Sequence, residues 1–545
     1  MKTFTDLIPT DILQTLPLLG LYAEAHFRFR IPFSRYFKRQ PELIFDAPWR
    51  LEPGQPLTLF LLIKDADLFP VRLERVSYDF RCGDQDLGSR TYHLDRELDE
   101  SMTYLEMQIA NLDLPRGELL IFPSLVYAVA GRRYVMKTDN YHGTDKPPLR
   151  INVSGEKLPK PQGWVSGDLH LHSNLTNDQI EFGAPLAQTR KAAQLFGLDY
   201  FTATDHSYDL DDEPRNYLKN DPSLKKWTDS RGEISKLNDS PGPTLVPGEE
   251  ISVANKRGAT VHFLHFNDDK FFAGNGDSGD DWPRMVSQYS VDDVLEQRSE
   301  GTVSVAAHTA YKFPWWQRWL LKRGWWEARD HLNAALDGVQ VLCGTPAYEA
   351  FHQSRQLWID ALLKGQHLAV YGGSDGHGNF NRNWHIKIPL WSMGIHEDQI
   401  FAQVTTLLRS PDTSVGSLME AMRSKRTALS TGPVGELTLN MAKEVHEIGS
   451  HAHIASGAAC SLEFTAQSSL EFGMNMDITL YVGNVETQEE RVLEHLADID
   501  GGYSGSLEFK PEQSGYVRLE ISSEGSRWPG VYLSTPIWYT LSQKG

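Results

Sequence analysis

The chain changes its hydrophobic rhythm twice. From residue 44 to 153 the chain reads as strands, as in LTLFLLIKDA and the more nearly alternating VRLERVSYDFRC, and turn-forming EPGQP and LPRGE separate the runs. A period of two puts successive side chains on opposite faces of a strand. An Ig-like β-sandwich is expected there. SGEKLPKPQG then reads as a linker. From 163 to 433 short apolar strands (WVSGDLHLH, YFTATDHS, TLVPGEEIS, TVHFLHFN, TVSVAAHT, GVQVLCGTP, LAVYGGSDGHG) alternate with helical segments such as APLAQTRKAAQLFG and YEAFHQSRQLWIDALLKG. Strand–helix alternation predicts parallel strands, in an open doubly wound sheet or a closed barrel. From 434 to 545 alternating strands with Gly turns return, as in DITLYVG and GYVRLEISS, and predict a C-terminal β-rich domain. Residues 1–43 read as a lead-in segment. Asp6 and Asp11 interrupt the apolar run and Lys2 is the lone base before His26, unlike a secretory leader.

The middle segment carries the chemistry. In Asp168-Leu169-His170-Leu171-His172 the leucines face one way and the acid and histidines the other. Asp205 and His206 end the second strand, and Glu249 and Glu250 the third. His262 and His265 lie in or at the end of the fourth, His308 ends the fifth, and Asp375 and His377 end the seventh. One strand-end histidine is ordinarily a hydrogen-bonded, half-exposed residue. Six strands ending this way point to a metal site, because the ends of parallel strands share one mouth.

Bulk composition narrows the partners. The 545 residues are 40% hydrophobic and carry a net charge of −19. That charge disfavours nucleic acid as a partner and leaves a small-molecule substrate. Cys82, Cys343 and Cys460 form no pairing motif, which fits a reducing, cytoplasmic compartment. The oligomeric state is not written in the sequence.

The ordered motifs GDLHLHS, TATDHS, PGEEIS, VHFLHF, AAHT and GGSDGHG resemble the PHP (polymerase and histidinol phosphatase) superfamily. The SDGHGNFN run, LMEAMRSKRTALSTGP and STPIWYT are similar to its CehA/McbA-type metallohydrolases. The resemblance implies a distorted seven-stranded (β/α) barrel, flanked here by N-terminal and C-terminal β-sandwich-like domains. It also implies two or three divalent metal ions at the mouth. The implied ligands are His170, His172, Asp178, His206, Glu250, His262, His308, Asp375 and His377. Glu250 is preferred to Glu249 by the family's Gly-x-Glu pattern, and His262 to His265 by the apolar pair that follows it. Asp178 is preferred to Asn177 as the harder ligand. Asp205 is expected to orient a ligand. Thr309 stands where the family often has Pro. SHAHIAS, with His451 and His453, repeats the His-x-His spacing but lies in the tail without comparable partners.

Imidazole mixed with carboxylate suits Zn, Mn or Fe. The expected activity is a metal-dependent hydrolase using a metal-bound hydroxide, most simply a phosphoesterase on a small molecule. Carboxyl-ester or carbamate hydrolysis, nuclease activity and a catalytically inactive binding protein are the alternatives. His206, His308 and Asp375 are candidates for handling the proton. The Trp- and base-rich segment 311–326, spaced for a helix that gathers Trp315 and Trp319, is expected either to pack or to close over the substrate. Membrane contact through it ranks behind both.

Overall fold

The computed structural model describes residues 40–542, apart from 111, 141–147, 177–182, 215, 277–285, 312–317, 320–321, 345–348, 382–383, 389–390, 396–398, 443 and 526–527. Asp178, Trp315 and Trp316 therefore lie outside the described residues. The chain forms two compact units, one of 1–157, 178–181 and 379–400, the other of 158–177, 182–378 and 401–545. No described helix is long and apolar enough to cross a membrane.

In the first unit two sheets share one core. Glu42–Asp46, Leu57–Lys64 and Met102–Ile109 form a three-stranded sheet, while Val71–Cys82 and Gly117–Val129 are central to a six-stranded one. Leu59, Leu61 and Ile63 from the former pack with Leu73, Val76, Phe80 and Ile121 from the latter. Alternating burial along Val71–Cys82 shows one face turned to this core and one to solvent.

The second unit departs from the expected barrel. Trp164–Asp168, Tyr200–Ala203 and Thr244–Ala254 run parallel, as do Val303–Ala306, Gly338–Cys343 and Ala369–Gly373. Between the two sets, Thr260–Phe266 is antiparallel to both of its neighbours. Only the turn 255–259 joins Thr244–Ala254 to Thr260–Phe266. That is room for a hairpin and not for the helical crossover a parallel pair requires. Nor does the sheet close. Trp164–Asp168 pairs antiparallel with Thr405–Arg409, and the sheet continues through Thr427–Ser430, Pro529–Ser534, Gly515–Glu524 and Asn475–Asn484 to Glu489–Asp500 as one fifteen-stranded mixed sheet. A seven-stranded (β/α) barrel is thus replaced by a largely β, multi-sheet architecture.

At the end of this sheet the backbone of Ala369–Gly373 meets hydroxyls. Thr535 Oγ1 accepts from Val370 N (3.0 Å), Thr427 Oγ1 donates to Val370 O (2.8 Å), and Thr406 Oγ1 donates to Gly372 O (2.6 Å). The C-terminal part adds a four-stranded sheet of Val445–Glu447, Val434–Asn440, Cys460–Gln467 and Gly502–Phe509. Its Leu437, Leu462 and Phe464 pack on Ile478, Leu480, Val517 and Ile521 of the large sheet.

Candidate metal centre

The polar strand ends converge despite the changed topology. The pairing of Thr244–Ala254 with Tyr200–Ala203 stops at Pro247, and from Gly248 onward the strand pairs with Thr260–Phe266 instead. Glu250 stands just past that change of partner. His262 belongs to an antiparallel strand, so it is the start of Thr260–Phe266, not its end, that reaches the same place. His308 and Asp375 have φ values of 25° and 55°. A non-glycine residue in the left-handed region costs on the order of 1–3 kcal/mol, and such strain collects at functional sites.

Glu250 is the hub. Its Oε1 lies 2.9 Å from His262 Nδ1 and 3.1 Å from His308 Nε2, and its Oε2 lies 3.0 Å from His206 Nδ1. Oε2 is also 3.3 Å from both His170 Nε2 and His172 Nε2. Asp375 Oδ1 is 3.2 Å from His170 Nε2 and 3.1 Å from His172 Nε2. Burial opposes charge on both acids. The facing rings outweigh it, led by His262 for Glu250 and by His170 for Asp375, and hold both carboxyls below the usual range. Burial depresses His206 and His308. For His170 and His172 the neighbouring carboxylates overcome burial and raise the rings.

Hydrogen bonds set the tautomers. Gln340 Nε2 donates to Gly373 O (3.1 Å), which turns Oε1 toward His170 Nδ1 (3.1 Å). Thr176 Oγ1 donates to Asp205 Oδ1 (3.2 Å) and so accepts from His172 Nδ1 (3.3 Å). Both imidazoles keep a proton on Nδ1 and turn Nε2 to the centre, where these atoms stand 3.3 Å apart. Two ring nitrogens this close, beside two carboxylates, draw positive charge: the protons that the carboxylates favour on these rings, or a metal ion in their place. His206 Nδ1 and Glu250 Oε2 are buried and make no hydrogen bond despite their proximity. The donor set therefore fits divalent metal. Three overlapping groups have ligand atoms within 4.8 Å of one another: His172, His206 and His377; His170, His172, Glu250 and Asp375; His206, Glu250 and His262.

Eight of the nine sequence-predicted ligands are brought together: His170, His172, His206, Glu250, His262, His308, Asp375 and His377. The ninth, Asp178, is outside the described residues. Glu249 points elsewhere, accepting from Ser207 Oγ (3.2 Å), and burial pushes its carboxyl up to about 8. His265 bonds Asp268 and Ser304 away from the centre. Asp205 holds the loop after His172 by accepting from Ser173 N (2.7 Å) and Thr176 N (3.1 Å). Sequence reasoning missed Gln340, whose signal was an amide inside the apolar strand GVQVLC. It noted Asp168 beside the histidines but gave it no role; this carboxylate accepts from the backbone nitrogens of His170, Ser374 and Ala402.

Of the Trp-rich segment, Trp326 is buried and donates Nε1 to His262 O (3.2 Å). Thr260 N donates to Lys322 O and Gly324 N to Thr260 O, so Arg323 forms an isolated bridge with the start of the Thr260–Phe266 strand and the chain is not helical there.

No family model matches the chain, and no curated protein matches it. Among solved structures, 20% of the chain aligns with 97% of a CARDB domain from Pyrococcus furiosus at 10% identity and a TM-score of 0.14. A β-glucuronidase from Bacteroides uniformis aligns over 92% of this chain and 61% of its own, at 10% identity and a TM-score of 0.19. One from Parabacteroides merdae aligns over 93% and 65%, at 8% identity and a TM-score of 0.18. Likenesses this slight assign neither fold nor activity.

Proposed function

We propose that the protein is a metal-dependent hydrolase, in its simplest form a phosphoesterase acting on a small molecule. The observation that carries this reading is the Glu250 hub, a buried carboxylate ringed by five imidazoles with overlapping sets of ligand atoms. His170, His172, His206, Glu250, His262, Asp375 and His377 would hold two or three divalent ions. Zn, Mn or Fe suits this mixture of nitrogen and oxygen. Bound there, such ions supply Lewis acidity, polarising a substrate oxygen and making water more acidic. The ordered motifs shared with PHP-type metallohydrolases support the reading, although the barrel expected with them is not what this chain forms.

The protein's own groups divide the remaining work. Asp375 and His308 keep 13% and 12% of their side chains exposed, whereas His170, His172 and Glu250 keep none. A substrate would arrive over Asp375, His308 and the half-buried His377, and a proton would be held or moved at Asp375 Oδ2 or His308 Nε2. Beside Thr309 a 580 Å³ cavity is lined by Arg318, Trp325, Trp326 and Leu357. That volume suits a small organic molecule, and the Arg318 guanidinium, 4.3 Å from the Trp325 ring centroid, offers an anion a partner.

The test is elemental analysis of protein purified without chelator, followed by a screen of phosphomonoesters, phosphodiesters and aryl esters with each metal. Two to three equivalents of metal are expected, with phosphoester turnover abolished in His172→Ala and Asp375→Ala. Under half an equivalent of metal, with no activity gained on adding Mn²⁺ or Zn²⁺, would overturn the proposal.

A further inference from the structure

His262 is placed by a segment outside its own hairpin. On one side the Thr260–Phe266 strand pairs with Thr244–Ala254 from Thr260 to Phe266. On the other side its pairing with Val303–Ala306 begins only at Phe263. Thr260 and His262 therefore lie beyond the end of that neighbour, and their backbone groups on that side need other partners. The segment 322–330 supplies them. Thr260 N donates to Lys322 O (2.9 Å), and Thr260 O accepts from Gly324 N (2.7 Å). His262 O accepts from Ala307 N (3.3 Å) and from Trp326 Nε1 (3.2 Å).

The same segment is tied to the turn of the hairpin. Asn255 Nδ2 donates to Trp325 O (3.0 Å). The buried Asp330 accepts from Lys256 N at Oδ1 (2.9 Å) and from Glu327 N at Oδ2 (2.8 Å). Trp326 is 2% exposed, with its ring 5.9 Å from that of Phe263 and 5.8 Å from that of His331. A buried indole N–H ordinarily finds one acceptor, and here the acceptor is the carbonyl of a candidate metal ligand. The bond fixes the peptide plane at His262 and with it the direction in which the side chain leaves the backbone. The imidazole then stands with Nδ1 2.9 Å from Glu250 Oε1. Among the described residues His206 and Glu250 each belong to two groups of converging ligand atoms, whereas His262 belongs only to the group it forms with them. A shift of His262 would thus loosen one ion's place and spare the rest.

We propose that Trp326 is a positioning residue for His262, and through it for the ion of the His206–Glu250–His262 group. The inference rests on the metal-centre reading above. It gives the Trp-rich segment a task inside the protein, the orientation of a ligand by a hydrogen bond to its backbone.

The test is calorimetric titration of Zn²⁺ into full-length protein stripped with a chelator. Wild type should take up about two to three ions. Trp326→Phe keeps a ring in the core without the donor. Replacing Trp326 by 3-benzothienylalanine keeps the bicyclic shape with sulfur in place of the N–H. Each should weaken one site roughly tenfold and leave the others as in wild type. His262→Ala should lose that same site, and adding Trp326→Phe to it should change Zn²⁺ binding no further. A wild type that binds no Zn²⁺ overturns the metal centre itself, and this inference with it. With wild type loaded, the positioning role alone is overturned if the benzothienyl protein binds every ion as tightly as wild type, or if the substitutions at 326 weaken all sites alike.

Discussion

At the scale of single residues the centre depends on groups that never touch its middle. Gln340 Oε1 takes the His170 Nδ1 proton and also accepts from His308 N at 3.1 Å, so one amide sets the tautomer of one ligand and the backbone of another. Gln340→Leu keeps the volume and loses both of these bonds together with the one from Nε2 to Gly373 O. Metal affinity should fall 10- to 100-fold, as competition with a chelator would show, while circular dichroism stays unchanged. His331 is a different case. It is fully buried against Trp326 with neither ring nitrogen hydrogen-bonded, and burial lowers it to about 4. The folded chain keeps this ring neutral below pH 6.5 while the unfolded chain protonates it. Stability is therefore intact above pH 6.5 and declines as pH falls toward 4, by about 3 kcal/mol in all. His331→Phe should flatten the pH dependence of urea midpoints across that window and stabilise the protein modestly at pH 7. The residues of the candidate site were legible in the sequence because period-two placement exposes polar residues in apolar strands. Gln340 and Thr176 were not, since an amide or hydroxyl carries no metal signature and Gln340 meets His170 across 170 positions of chain.

Among the elements, close approach of backbones is what lets strand ends meet. A Cβ on Gly373 would lie 2.8 Å from His170 N and 2.9 Å from its Cβ. Gly373→Ala should displace His170 and lower metal content well below that of wild type, with the fold retained. Gly232→Ala, where a Cβ would meet nothing within 4 Å, is a control for metal content. Strand positions were readable from apolar runs, but strand direction was not. The hairpin between Thr244–Ala254 and Thr260–Phe266 did leave a signal in NKRG. Asn255 Oδ1 accepts from Arg257 N and Ala259 N, and Gly258 adopts φ 76°. A turn of this kind joins antiparallel strands, and weighing it would have broken the parallel series that suggested a barrel.

Over the whole of the second unit, one buried ion network ties a helix to the C-terminal strands. Arg518 is fully buried and bonds Glu490 Oε2 at 2.6 Å and Glu520. Glu520 Oε1 in turn accepts from Arg355 Nε, on helix Glu349–Leu363, at 2.6 Å. Arg518→Met leaves two largely buried carboxylates short of a partner and should cost about 3–5 kcal/mol, measured as a drop in the chemical-unfolding midpoint. Because the same sheet runs from the candidate metal centre into these C-terminal strands, the variant, if metal-loaded, should release its metal within the same transition. Nothing in the periodicity of the sequence foretold that continuity, since a strand's pattern records its faces and not its neighbours. The same blindness covers the three threonines along Ala369–Gly373. A strand at the rim of a sheet is ordinarily a template on which a second chain can extend the ladder. Here Thr406, Thr427 and Thr535 already occupy the amide of Val370 and the carbonyls of Val370 and Gly372. An incoming strand would have to displace hydroxyls anchored on three separate segments. The rim beside the candidate metal centre is thereby sealed against strand addition, and so against the edge-to-edge aggregation that so wide a sheet invites.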